Sequence, residues 1–257
     1  MPRPIDIIVV GLGNPEPEYA TTRHNAGYIF IDYLANAMAL AQEQVTQGAR
    51  SLPKFYRRLD LSADIHDTIF TSSSNNGSVE VCDLTISINI IFNSFRVILM
   101  KPLTAMNESG LAVRKVLQHF AVNDTKKLVV VADDLNTLPG ALMIQSGGDL
   151  AAMKGHKGLE NIVSTIGKEF IRFRLGVGRP ISEATQISQW VLSPFGKENR
   201  EMDLFGYLLH LTTQALYDYS IHKDLRRVRK KFVNAKKLPN KLTEMSGLVF
   251  PVDTHGF

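Results

Sequence analysis

Ile7-Ile8-Val9-Val10 is an unbroken apolar run that stops at Gly11-Leu12-Gly13, and that break does most to limit what the chain can become. β-Branched residues in such a run read as a strand. A strand that ends in glycines hands the next residues to the carboxyl edge of its sheet, where ligands sit in open α/β folds. Two side chains with useful chemistry arrive there: the amide of Asn14 and, past a proline-bounded loop, the imidazole of His24. Gly11 and Gly13 invite a dinucleotide reading, but that fingerprint needs a third glycine near position 16 and an immediate helix. Position 16 is Glu and position 17 is Pro, so no cofactor is expected. Asn14 precedes Pro15, which biases it toward extended backbone, and it reads either as a site amide or as a turn residue. His24 reads either as a general base, with an ordinary pKa of about 6.5, or as a surface residue closing a loop. Asn25 is a candidate N-cap, and the dipole of the helix behind it would favour the neutral imidazole.

Further strands and helices alternate along the chain. Phe30, Ile31, Leu34, Ala35 and Met38 recur at helical spacing, predicting a helix over 26–42. Residues 46–78 are polar and rich in turn formers, and read as a surface insertion. Val79 to Phe92 reads as strand or hairpin. A strand over 96–100 is stopped by Lys101-Pro102, and Thr104 is a candidate cap for a helix burying Val113, Val116, Leu117 and Phe120. Asn107 falls in that helix's first turn. Leu128 to Val131 reads as a buried strand ending in Asp133-Asp134, where a carboxylate could orient an imidazole or simply begin a turn. Gly155-His156-Lys157-Gly158-Leu159 opens a helix, Phe170 to Val177 reads as strand, and Met202 to Tyr219 as a last long helix. The expected fold is one α/β domain over 1–220, with a mixed, mostly parallel twisted sheet and helices on both faces.

At 257 residues and 44% hydrophobic content the chain can bury a full core. Its one cysteine, Cys82, excludes an internal disulfide and suits a reducing compartment. No Cys/His cluster has zinc spacing, so no metal is expected. No apolar run reaches the ~18 residues of a membrane span. The first strand begins by about Ile5, leaving no visible presequence; the expected location is the cytoplasm, with mitochondria as the alternative. Net charge is +4, yet residues 221–241 alone carry nine Lys/Arg and one acid. The basic extension 221–257 therefore includes an arm, Arg226, Arg227, Arg229, Lys230 and Lys231, suited to phosphates or simply to solvent.

Four segments, 10–28, 96–110, 128–140 and 147–180, resemble in this order the signature of the bacterial-type peptidyl-tRNA hydrolase family, in a divergent, fungal-like form. The resemblance implies hydrolysis of the ester between peptide and tRNA, recycling tRNA from stalled or aborted translation. It implies His24, Asp133 and Asn14 as catalytic residues, with Asp133 orienting His24. Tyr19, Asn107, His156 and Lys157 fall at substrate-binding positions. Arg174 and Gln145 fall at the tRNA phosphate contact. Peptidyl-tRNA is the implied partner of a monomer, and the basic arm would add a contact to ribosomal RNA or the ribosome.

The chain also departs from the pattern. Lys157 stands where the family has Asn, and Gln145 where it has Lys. Asp134 holds the position of a family Glu, and the loop at 149–154 is longer than usual. Lys157 would either draw on Asp133 and free His24 to turn, or face the oxyanion; Lys154 or Lys157 would replace the charge missing at Gln145. These departures keep a second reading open, a catalytically impaired relative that binds tRNA, ribosomal RNA or an intron. A serine hydrolase lacks its Gly-x-Ser-x-Gly elbow here.

Overall fold

The computed structural model describes residues 4–46, 56–58, 62–70, 79–81, 84–86, 95–148, 155–180, 182, 184–196 and 201–233. Its strands are β1 (Ile7–Gly11), β2 (Tyr56–Arg58), β3 (Ala63–Phe70), β4 (Val79–Val81), β5 (Leu84–Ile86), β6 (Phe95–Pro102), β7 (Leu128–Asp134), β8 (Leu142–Ser146) and β9 (Ile171–Gly176). Its helices are α1 (Ala26–Thr46), α2 (Ser109–His119), α3 (Lys157–Ile166), α4 (Ile187–Val191), α5 (Glu201–His222) and α6 (Leu225–Phe232). Seven strands form one sheet in the order β2-β3-β6-β1-β7-β9-β8. The central four, β6, β1, β7 and β9, run parallel, while β3 and β8 pair antiparallel at the two sides.

The apolar run of β1 reflects burial on both faces. Ile7 and Val9 join α1, α5 and α6 in one core; Ile8 and Val10 join α2 and α3 in the other. Each fully buried side chain of this size contributes about 1.5–3 kcal/mol. Phe30, Ile31, Leu34 and Ala35 of α1 are buried, as are Val113, Val116 and Leu117 of α2, so the helical spacing marked the inward faces. The chain leaves β1 for β6 on one side and later reaches β7 on the other. The carboxyl ends of β1 and β7 therefore flank a topological switch point, the place such sheets reserve for ligands.

Three expectations are corrected. Part of the expected 46–78 surface insertion belongs to the sheet: β3 pairs with β6 from Ala63↔Pro102 to Phe70↔Phe95, and β2 adds to β3. The near-alternation of Ala63, Ile65 and Ile69 with polar residues was the overlooked signal. Residues 47–55, 59–61 and 71–78 of that segment lie outside the described residues. Thr104 does not cap α2, which begins only at Ser109 after a 3-10 turn over Met106–Glu108; its hydroxyl makes no hydrogen bond among the described residues. The basic stretch also begins inside the fold, because α6 buries Val228 and Phe232 in the same core as α5. The hairpin expected after Val79 is present as β4 and β5, and residues 87–94 lie outside the described residues.

The glycines of the opening stretch serve packing. Leu12 N donates to Val131 O at 2.9 Å, tying the end of β1 to β7, and Gly27 of α1 lies directly over this bond. A Cβ on Gly27 would overlap the Leu12 amide and the Val131 carbonyl; one on Gly11 would overlap the Gly27 carbonyl. Gly27→Ala is expected to lower stability by about 3 kcal/mol or more, since neither neighbour is a side chain that can swing away. Urea unfolding of the variant beside the native chain measures the loss.

Candidate active site

The site assembles around one carboxylate. Asp133 is the second-last residue of β7 and is almost fully buried. Its Oδ1 lies 2.9 Å from His24 Nδ1 and 3.1 Å from His156 Nε2. The two imidazoles stand with centroids 5.0 Å apart and rings tilted by 46°. Separate elements deliver them. His24 sits in a 3-10 turn, Arg23–Asn25, that feeds α1. His156 immediately precedes α3 and caps it, its Nδ1 accepting from Leu159 N at 3.3 Å.

These contacts assign the ring nitrogens. A nitrogen that accepts from a backbone N–H carries no proton, so His156 donates to Asp133 through Nε2. The ionised carboxylate only accepts, so His24 donates through Nδ1 and keeps its Nε2 lone pair for chemistry. His24 Nδ1, Asp133 Oδ1 and His156 Nε2 all lie within 4.8 Å of one another, close enough to suggest a metal ligand set. Both facing nitrogens are N–H donors, however, so the group is a complete hydrogen-bonded unit as it stands.

Burial would lower the His24 pKa, but the charge of Asp133 and its hydrogen bond outweigh that, and the net shift is upward from 6.5. This corrects the expectation that the start of α1 keeps His24 neutral: the carboxylate is nearer and carries a full charge. Burial pushes Asp133 up; His156 and His24 pull it further down, leaving it well below the usual carboxylate range.

Asn25 is likewise not a helix cap. Its Oδ1 accepts from Asn14 N at 2.9 Å, and its Nδ2 donates to Asn14 O at 2.9 Å. One side chain thus clamps the Asn14 backbone beside His24. The Asn14 amide itself is half-buried and makes no hydrogen bond to a described residue. A second anchor is Arg23, whose significance the sequence pattern did not convey. It is 3% exposed, forms a two-pronged pair with Glu201 at 2.6 Å, and stacks 3.6 Å over the Trp190 ring. Its Nη1 also reaches Ser193 Oγ and the Trp190 carbonyl. This fixes the turn that carries His24 against α4 and the first turn of α5.

The remaining expected site residues are more scattered. Tyr19 lies in a 3-10 turn over Pro17–Tyr19, half-buried. Asn107 is exposed, in the 3-10 turn before α2. Lys157 is exposed at the first position of α3, and neither histidine's place on Asp133 goes to it. Lys154 lies outside the described residues. Arg174 and Gln145 do meet, Nη1 to Oε1 at 3.4 Å, but Arg174 is 8% exposed and its Nη2 holds Asp134 Oδ1 at 2.7 Å. A phosphate there would share the guanidinium with Asp134. In the basic arm, Arg227 and Lys231 pair with Asp218, Arg229 donates to Ile144 O on β8, and Arg226 and Lys230 are exposed.

Among the described residues no helix is long and apolar enough to cross a membrane. The sequence model of the peptidyl-tRNA hydrolase family matches residues 8–53 and 57–241. The peptidyl-tRNA hydrolase of Symbiobacterium thermophilum is 32% identical over 193 residues, 75% of this chain and 82% of its own. That of Citrifermentans bemidjiense is 32% identical over 210 residues, covering 81% and 88%. Among solved structures, peptidyl-tRNA hydrolase from Acinetobacter baumannii superposes with a TM-score of 0.64 at 24% identity, covering 91% of this chain and 97% of that one. The shared fold is that of one α/β domain.

The two opposing influences on His24 can be separated. In Asp133→Asn the charge is lost while burial remains, so the His24 pKa should fall from above 6.5 to below it. Histidine-resolved NMR titration of both proteins checks the direction, and an unchanged midpoint would remove Asp133 as the cause.

Proposed function

The chain belongs to the peptidyl-tRNA hydrolase family, and from that membership together with the site geometry we propose that it hydrolyses the ester linking peptide to tRNA, with His24 as general base. The observation that carries this reading is the His24–Asp133 contact, which engages Nδ1 and leaves Nε2 without a hydrogen bond among the described residues.

In this mechanism Asp133 holds the His24 ring through Nδ1–H, and Nε2 takes a proton from water as the oxygen attacks the ester carbonyl. The Asn14 amide orients that water or donates to the oxyanion. As the tetrahedral intermediate collapses, the carbon–oxygen bond to the ribose breaks and the His24 proton passes to the departing hydroxyl. The peptide leaves as a carboxylic acid. An alkyl ester expels its alcohol far more readily than an amide expels its amine, so one base with oxyanion help is enough. The reaction as proposed calls on no metal. By their family positions Asn107 and Tyr19 are assigned to the peptide, and Arg174 with Gln145 to a tRNA phosphate. A binding-only role would leave the buried His24–Asp133 unit without a use.

Lys157 has a lesser part in this reading. Asp133 is already shared by two imidazoles, and Lys157 is exposed at the start of α3. Substitution to the family residue should therefore be tolerated.

Single-turnover release of the acyl group from N-acetyl-aminoacyl-tRNA tests the proposal. His24→Ala is expected to slow release by about 10²–10⁴-fold, the usual weight of general base catalysis. Lys157→Asn should keep or raise the rate. The native rate should fall as pH drops through a value above 6.5, because protonation of the raised His24 removes the base. Absence of release by the native chain, with tRNA still bound, would overturn the reading in favour of RNA binding alone.

A further inference from the structure

We propose that His156 is a positioning residue for catalysis: its Nε2–H shares Asp133 Oδ1 with His24, fixes the carboxylate's orientation, and limits how strongly that carboxylate holds a proton on the general base. The inference rests on the hydrolase reading for its consequence, but its geometry stands independently.

Three observations lead to it. First, His156 is a built part of the site: it is 9% exposed and both ring nitrogens are engaged. Second, the helix fixes its tautomer. The Leu159 amide donates to Nδ1, so the proton on Nε2 points at the carboxylate. Third, the two donors converge on one oxygen, at 2.9 and 3.1 Å. A carboxylate oxygen that already accepts one hydrogen bond is a weaker acceptor for a second, because the first donor draws off negative charge. His156 therefore competes with His24 for the same lone-pair density. A base must be neutral at working pH, and a carboxylate serving His24 alone would press it further toward the imidazolium.

Other charged groups near this unit are occupied or turned away. Asp134, next in β7, binds Arg174 and the Thr137 hydroxyl. Arg23, next to His24, is spent on Glu201. Lys157, next to His156, is exposed. The groups from neighbouring elements that meet Asp133 are thus the two imidazoles.

Substitution can separate the two roles of His156. His156→Asn retains a side-chain oxygen suited to capping α3 but is too short to reach Asp133. His156→Ala loses both functions. In both variants the His24 midpoint, followed by NMR titration with the resonance assigned through His24→Gln, is expected to rise by half a unit or more. Where the chain turns over N-acetyl-aminoacyl-tRNA, the acid limb of the single-turnover rate should move to higher pH by the same amount. Thermal stability should fall in both variants, which leave the buried carboxylate one donor short, and fall further in His156→Ala, which also loses the cap of α3. A His24 midpoint that stays put or falls in His156→Asn would overturn the proposal and leave His156 as a helix cap. The NMR reading does not depend on turnover, so failure of the hydrolase reading would show as absent acyl release alongside a shifted midpoint.

Discussion

A single buried carboxylate oxygen, Asp133 Oδ1, is the constraint on which the site depends. Taking a carboxylate out of water is costly unless donors replace the lost hydration. Here the donors are two imidazole N–H groups, from the turn before α1 and from the residue capping α3. The charge that must be satisfied in β7 therefore holds both histidines at one point. Removing either partner changes the environment of the other, because they share one acceptor.

That convergence requires the surrounding backbone to hold still, and packing does this at close range. Gly27 lets α1 start almost in contact with the hydrogen bond joining β1 to β7. The Asn25 side chain then clamps both polar groups of the Asn14 backbone. From the other side, Arg23 ties the His24 turn to Glu201, far away in sequence at the start of α5. A buried two-pronged arginine–carboxylate pair stacked on an indole is stiff, and that stiffness keeps the His24 ring in one orientation. The glycines that resemble a nucleotide loop in one dimension are spent on bringing a helix close.

The residues that break the expected family pattern, Lys157 and Gln145, lie outside the His24–Asp133–His156 unit. Lys157 stands at the rim of the carboxylate unit and is exposed. At the proposed phosphate contact Gln145 is uncharged, and the Arg174 guanidinium is paired with Asp134. The compact middle is the His24–Asp133–His156 unit, with the Asn14 backbone held by the Asn25 side chain. Charge on a surface has many workable arrangements, whereas a bridging carboxylate has few.

Unbroken apolar runs marked β1 and β7, which are buried on both faces, and helical spacing marked α1, α2 and α5, because burial of one helix face leaves a repeat of 3.6 residues that local sequence records. The breaks at Gly11 and after Val131 marked the sheet edge where Asn14, His24 and Asp133 lie. The joining of β3 to β6 was less legible, since polar residues surround it. Four contacts needed the tertiary structure: His156 on Asp133, Arg23 on Glu201, Asn25 on Asn14, and the shielding of Arg174 by Asp134. Each joins elements whose sequence positions carry no record of one another, and a hydrogen bond a few ångströms long is decided only when strands and helices have packed. The sequence by itself determined which residues had the chemistry and which edge received them; the fold decided which nitrogen faces which oxygen, because that depends on how three backbones converge on one buried charge.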